Sequence, residues 1–331
     1  MRSYSNFKIG TFNLYNLALP NIIFHRSLQY SSEEYRQKKR WVAHQLERMQ
    51  ADIVGFQEVI HAKALKEVLK EAEGYENYHC AIAEGNENYP TVALASKFPL
   101  IDLEIIREFP KQASFNIQKV DIPFEKFSKP IIVAQVALTP SLVATVVVVH
   151  LKSKAPIFPK EASPDDPVEK AKGQGRALIL RTAEAVALRI FLIELLKDTD
   201  HPVIVLGDVN DGGLAFTSQI ITGDPPHQRK SLSEKKKVWD VLLYSVKEIQ
   251  DKRSQGFYYY THIHNGHYEN LDHILVSQEW VSQNPQRVGR VKYVAVLNDH
   301  LLDDTLCDEK LPCWQSDHGQ VVATLSLEVS N

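Results

Sequence analysis

The chain has 331 residues, 44% of them hydrophobic and 24% charged, with a formal charge of −3 at pH 7. That balance excludes a strongly basic coater of nucleic acid and leaves room for a large buried core. No apolar run approaches the roughly 20 residues that span a bilayer, and Cys80, Cys307 and Cys313 are too few and too unevenly placed for a disulfide framework. Together with a polar opening, Met1 to Lys8, that lacks a signal-peptide apolar core, this predicts a reducing, cytoplasmic setting.

Lys8 to Leu14 alternates into a short strand with Asn13 near its end. Ser31 stands three residues before Glu34, a capping box, and opens a helix with Tyr35, Val42, Leu46 and Met49 on one face. Asp52 to Phe56 reads as a buried strand delivering Gln57 and Glu58, followed by a helix over Ala62 to Glu71. Strands are predicted over Tyr75 to Ala83, Thr91 to Ser96, Ile101 to Phe109, Ile131 to Leu138 and Leu142 to Val149, with turn residues between them. Val146 to Val149 is valine throughout, which predicts a central strand covered on both faces, and His150 follows directly. Ser153 to Gly173 reads as a long surface loop. Gly175 to Lys197 reads as a helix with Leu178, Ala185, Leu188, Leu192 and Leu195 on one side, and Val203 to Leu206 as a buried strand running into Gly207-Asp208. Asn265-Gly266 marks a hairpin between Phe257 to His264 and His267 to Val276. The last strands fall at Arg290 to Leu297 and Gly319 to Val329. Helices interleaved with hairpin-joined strands predict mixed sheets covered by helices, in one domain over residues 1–331.

Short polar motifs end these apolar strands. They are Phe12-Asn13-Leu14, Gln57-Glu58-Val59, His150-Leu151-Lys152-Ser153, Gly207-Asp208-Val209-Asn210, Leu271-Asp272-His273 and Ser316-Asp317-His318. Carboxylates, amides and histidines are what a site needs to bind a hard divalent cation and cleave a phosphate ester. Each has a plainer reading alone: Glu58 as a solvent-facing strand end, the Gly207 segment as a polar turn, His150 as a satisfied structural group. Asp208 and Asn210, two apart, project to the same side of an extended chain, and Gly207 permits close backbone approach. A histidine needs an acceptor to fix its tautomer, so His318 is paired with Asp272, leaving Asp317 for a metal.

Other features carry less. The basic groups Lys38-Lys39-Arg40, Lys152 with Lys154, Lys170 to Arg176 and Lys235-Lys236-Lys237 could line a groove for an anionic substrate but read better as solvated faces. His262, His264 and His267 could form a second metal site but read better as an exposed tip or substrate rim. Cys307, Cys313 and His300 match no zinc spacing. Tyr258-Tyr259-Tyr260 could stack bases, though strand burial explains them.

In this order the motifs resemble the endonuclease/exonuclease/phosphatase superfamily from Asn13 to His318. The resemblance implies a four-layer α/β/β/α sandwich, two packed mixed β-sheets flanked by helices as in pancreatic deoxyribonuclease, with the site at one edge. It implies Glu58 as the principal Mg²⁺ ligand (Mn²⁺ as a substitute), with Asn13 and Asp317 helping to hold the metal or its waters. Asp208 and Asn210 would position phosphate and attacking water. His318, oriented by Asp272, would contact phosphate or act as general base, while His150 would stabilise the pentacoordinate phosphorus. Asn13, Lys152 and Asn210 would contact substrate. Phe12 and Leu271 stand where the apurinic-site repair branch has tryptophan and arginine, which disfavours DNA repair. The His-Leu-Lys-Ser motif resembles instead the deoxyribonuclease and sphingomyelinase-like branches, and the whole looks most like uncharacterised bacterial members. The expected activity is a Mg²⁺-dependent phosphodiesterase of nuclease type, on a phosphodiester such as nucleic acid. Alternatives are a phosphatase or phospholipase C-type enzyme and, disfavoured, a non-catalytic binding domain. No protein partner is evident.

Overall fold

The apolar runs assemble into two 6-stranded sheets. The structure, a computed structural model, describes residues 3–25, 27–83, 89–113, 116–117, 120–121, 124–227, 229–251, 259–306 and 310–329. In the first sheet the order is Gly289–Leu297, Gln320–Val329, Ser3–Leu17, Ile53–Val59, Thr91–Ser96 and His79–Ile82. In the second it is Tyr244–Ser245, Asp272–Val276, Val203–Asp208, Leu142–His150, Lys126–Thr139 and Leu100–Glu108. Each sheet is mixed around one parallel pair: Ser3–Leu17 with Ile53–Val59 in the first, Leu142–His150 with Val203–Asp208 in the second. Every other pairing within the two sheets is antiparallel.

Three buried clusters define the layers. Ile9, Ile53 and Leu94 of the first sheet meet Ile132, Val146, Val148 and Leu206 of the second between the sheets. Val42, Leu46 and Met49 of the helix Ser32–Met49, with Leu65 and Val68 of Ala62–Glu71, cover Phe12, Val54 and Phe56 on the first sheet's outer face. Leu188, Leu192 and Leu196 of the long helix Pro167–Leu196 cover Val147, Val203 and Val205 on the second sheet's outer face. This is the expected α/β/β/α sandwich. Valines 146 to 149 are fully buried, as a doubly covered strand requires. Gly55 brings the sheets together: a Cβ there would lie 2.9 Å from Leu206 Cβ.

The elements depart from the predictions where side-chain hydrogen bonds override periodicity. The long helix begins at Pro167, inside the predicted loop, because the Asp166 side chain accepts from Val168 N–H and Pro167 suits a first helical turn. Leu178 is 50% exposed rather than part of the apolar face, the buried side there being carried by Gly173, Ala177 and Arg181. The strand predicted over His267 to Val276 is broken at Asn270-Leu271. There the Thr261 hydroxyl accepts the N–H groups of Leu271 and Asp272, so His267–Glu269 pairs locally with His262–His264 while Asp272–Val276 joins the second sheet. The strand predicted from Tyr75 starts at His79, Tyr75 instead sending its hydroxyl to the Leu46 carbonyl. Phe257 and Tyr258 lie outside the described residues, as does Cys307. No helix among the described residues is long and apolar enough to cross a membrane.

Candidate active site

Both parallel pairs end at the same edge of the sandwich, and the polar motifs end with them. Asn13 stands in register with Gln57, beside Glu58; Asp208 stands in register with His150 on one side and Asp272 on the other. The sheets are joined there by a hydrogen bond from Asn13 Nδ2 to Asp208 Oδ2 at 3.1 Å. His150 Nε2 lies 3.5 Å from Asp208 Oδ2 and 4.0 Å from Glu58 Oε1. His318 Nδ1 lies 2.7 Å from Asp272 Oδ2, and ligand atoms of Asp208, Asp272 and His318 fall within 4.8 Å of one another. The strand-end glycine is required: a Cβ on Gly207, at φ 154°, would sit 2.1 Å from the Val149 carbonyl oxygen.

The backbone bends sharply to present these groups. Glu58 and Asn210 take positive φ, 61° and 57°, a conformation that costs a side-chain-bearing residue energy and persists only where surroundings fix it. Asn210 is fixed by its own N–H donating to Asp208 Oδ1 at 2.8 Å and its side-chain amide donating to the Leu151 carbonyl. Tyr15 and Asn16, also at positive φ, turn the chain away just after Asn13. That turn is held by the Asn13 side chain, which accepts from Tyr15 N–H, and by Tyr30 and Lys38, which donate to the backbone carbonyls. Ser316 ties the last segment to the first: its hydroxyl donates to the Asn13 carbonyl at 2.7 Å and accepts from His318 N–H.

Burial sets the charges. The Asp208 carboxyl is pushed up to about 7 by burial, with the Asp272 charge adding to it. Burial also raises Glu58, with Asp317 adding, while His318, Lys129 and a hydrogen bond from Asn13 pull the other way. His150 is held well below the ordinary imidazole value by burial, so it is neutral near pH 7. On His318 burial opposes the charge, but the carboxylates of Asp272, Asp317 and Asp208 outweigh it and keep the ring protonated. A neutral and a charged histidine thus flank one carboxyl group poised near neutrality.

The oxygen donors fit a hard divalent cation. Glu58 and Asp317 are close enough to repel, and Asp317 Oδ1 is buried without a hydrogen-bond donor. A cation is the partner such an orphaned carboxylate oxygen lacks.

Some expectations are revised. Lys152 turns its ammonium into the following loop, where it donates to the Ser153 carbonyl and hydroxyl and the Ala155 carbonyl rather than to the site. Its segment is braced from below: the long helix's Glu184 accepts from Lys152 N–H, and Arg181 bonds both the Lys152 carbonyl and Asp211. Sequence reading missed Lys129, whose charge reaches both Glu58 and His150. It also missed Lys38, which is fully buried, lies over the rings of Tyr15 and Tyr30, and is lowered to about 8 by burial. A signal existed: Lys38 falls on the apolar face, between Tyr35 and Val42 at helical spacing. His262, read as part of an exposed tip or substrate rim, lies half-buried against His318, the two rings tilted at 30° with centroids 4.7 Å apart. Cys313 donates instead to Glu34, and His300 faces the His318 carbonyl, so they share no metal site.

The sequence model of the Endonuclease/Exonuclease/phosphatase family matches residues 10–318. No curated protein matches the chain in sequence. Among solved structures, a family protein from Bacteroides thetaiotaomicron is 16% identical with a TM-score of 0.58, covering 100% of this chain and 98% of its own. A Bacteroides thetaiotaomicron mannosyl-6-phosphatase is 16% identical with a TM-score of 0.56, covering 96% of this chain and 99% of its own. The human Nocturnin catalytic domain with bound sulfate is 16% identical with a TM-score of 0.55, covering 98% and 97%. At such identities the likeness shows the shared fold alone.

Proposed function

Since the chain belongs to the endonuclease/exonuclease/phosphatase family and is therefore a phosphoesterase hydrolase, we propose that it is a Mg²⁺-dependent phosphodiesterase of nuclease type, acting as one domain. The observation that carries this reading is the meeting of Asp208, Asn13, His150 and the His318–Asp272 pair at one edge of the sandwich. Glu58, Asp317 and Asn13 would hold the cation. When bound, it supplies positive charge for the non-bridging phosphate oxygens.

The chain's own residues do the rest. Asp208, with one oxygen fixed by Asn210 N–H and the other by the Asn13 amide, accepts a proton from the attacking water. A carboxyl group poised near 7 is suited to that task, since efficiency peaks where the base's pKa nears the working pH. His318, kept charged by Asp272, donates to a phosphate oxygen. His150, neutral and dry, donates to the phosphate as its charge builds. Asn210 is oriented by Leu151 to contact the same group.

A second reading, hydrolysis of a lipid or small-molecule phosphate ester, draws on one observation. The segment after Asn13 exposes Ile22 at 39%, Ile23 at 56% and Leu28 at 52%, an apolar surface unlike a nucleic-acid groove. The test is a panel with Mg²⁺ or Mn²⁺ and a chelator control: bis-p-nitrophenyl phosphate, its monoester, single- and double-stranded DNA, RNA, phosphoinositides and sphingomyelin. Cleavage of the diester and a nucleic acid supports the nuclease reading. Turnover of monoester or lipid alone replaces it with the second, and none on any substrate overturns both.

A further inference from the structure

The hairpin His262–His264 and His267–Glu269 carries histidines that the hydrolytic reading leaves unused. His264 and His267 are exposed. His262 is set differently, because its backbone bridges to that of His318 and the two rings lie 4.7 Å apart at 30°. Its Nδ1 is 2.9 Å from the Asp317 carbonyl oxygen, just as His318 Nδ1 is 2.7 Å from Asp272 Oδ2. An imidazole whose Nδ1–H is held by oxygen carries its lone pair on Nε2, and this arrangement is the usual one behind a metal-ligating histidine. His262 fits that form, and the charged His318 ring beside it reaches it by releasing its Nε2 proton to solvent as the metal binds; the buried, donor-free Asp317 Oδ1 adjoins them.

Ligand atoms of His262, Asp317 and His318 lie within 4.8 Å of one another. On a tetrahedral zinc, with bonds of about 2.0–2.1 Å, ligand atoms sit about 3.3 Å apart. The largest gap to close is therefore about 1.5 Å, shared among three rotatable side chains. Two nitrogens and one oxygen favour a borderline ion such as Zn²⁺ over Mg²⁺, which prefers oxygen alone.

We propose that His262, Asp317 and His318 form a zinc site that switches the enzyme off. Zinc there takes the Nε2 of His318 and the carboxylate of Asp317, so the phosphate loses its charged donor and the catalytic cation loses a ligand. The inhibition rests on the hydrolytic reading, whereas the binding does not.

The experiment uses the full chain and its His262→Asn and His262→Gln variants, all checked for folding by thermal unfolding. Co²⁺ and Zn²⁺ are titrated in excess Mg²⁺, following cobalt absorption and heat of binding. The wild type is expected to give the intense visible absorption of a four-coordinate, nitrogen-ligated cobalt centre, discharged by Zn²⁺ and not by Mg²⁺. Both variants should lose that spectrum and bind Zn²⁺ at least about tenfold more weakly. They should also keep Mg²⁺-dependent turnover at zinc concentrations that halve the wild-type rate. Equal zinc affinity and inhibition in all three proteins would overturn the site, as would a weak six-coordinate cobalt spectrum abolished by Mg²⁺. If neither variant folds, the wild-type cobalt spectrum decides alone. A cobalt centre of the expected kind in a chain that cleaves no phosphoester would keep the site and reject the hydrolytic reading.

Discussion

Set side by side, the parallel pair of the first sheet ends in Asn13 and Glu58, and that of the second in His150 and Asp208. The two sheets share one plan, yet their ends differ in exposure: the Glu58 side chain keeps 21% of its surface, against 2% each for His150 and Asp208. An open carboxylate suits a cation that must enter with its waters. A dry carboxyl and a dry imidazole suit proton chemistry, because burial is what moves their titration. Burial raises the Glu58 carboxyl too, so the proposed division between cation binding and proton chemistry rests on the difference in side-chain exposure and not on titration alone.

The sharpest way to break that division is Asp208→Asn. Turnover should fall by about 10²–10⁴, worth about 3–5 kcal/mol of barrier, with the metal requirement unchanged. Rate against Mg²⁺ concentration checks it, and an unchanged rate would sink the proton role. Glu58→Gln should do the opposite, raising the Mg²⁺ needed for half-maximal rate by at least about tenfold while recovering turnover at high metal. Next in size is Gly207→Ala, which drives a Cβ to 2.1 Å from the Val149 carbonyl. It should destabilise the chain by about 3 kcal/mol in urea unfolding. Gly55→Ala meets Leu206 Cβ, an atom fixed to the facing strand's backbone, at 2.9 Å, and should cost about 2 kcal/mol by the same measurement.

The smallest effect concerns the second sheet's other end. His201, bonded to the Thr145 hydroxyl at 2.8 Å, has its titration lowered by burial. Below pH 6.5 the unfolded chain takes up a proton that the folded chain resists. Its contribution to stability is therefore present above pH 6.5 and is lost as pH falls through the folded value. Thermal unfolding between pH 7 and pH 5 should decline slightly less in His201→Gln than in the wild type.

Much of this was legible because the strands are apolar and their ends are not. Val146 to Val149 announced a covered strand, and the residues after it had to be satisfied or functional. The Ser31 and Glu34 capping box announced its helix, and the helix expected over Ala62–Glu71 has those bounds. What stayed hidden depended on contacts distant in the chain. Lys38 was read among its charged neighbours, although its ammonium goes to Tyr15. The break at Asn270-Leu271 depends on the Thr261 hydroxyl, which no periodicity encodes. The turn of Lys152 into its loop depends on where Ser153 and Ala155 carbonyls happen to fall.

The clasp between Ser316 and Asn13 spans 303 positions, and the strand bearing Asn13 lies between Ile53–Val59 and Gln320–Val329. A ribosome emits the chain from its beginning at about 5–20 residues per second. During those tens of seconds the early half has neither its second neighbour nor the imidazole that follows the clasp. An unfinished polypeptide therefore lacks the closed edge at which Asn13 and His318 are brought together. That edge closes only when the strand Gln320–Val329 docks beside Ser3–Leu17.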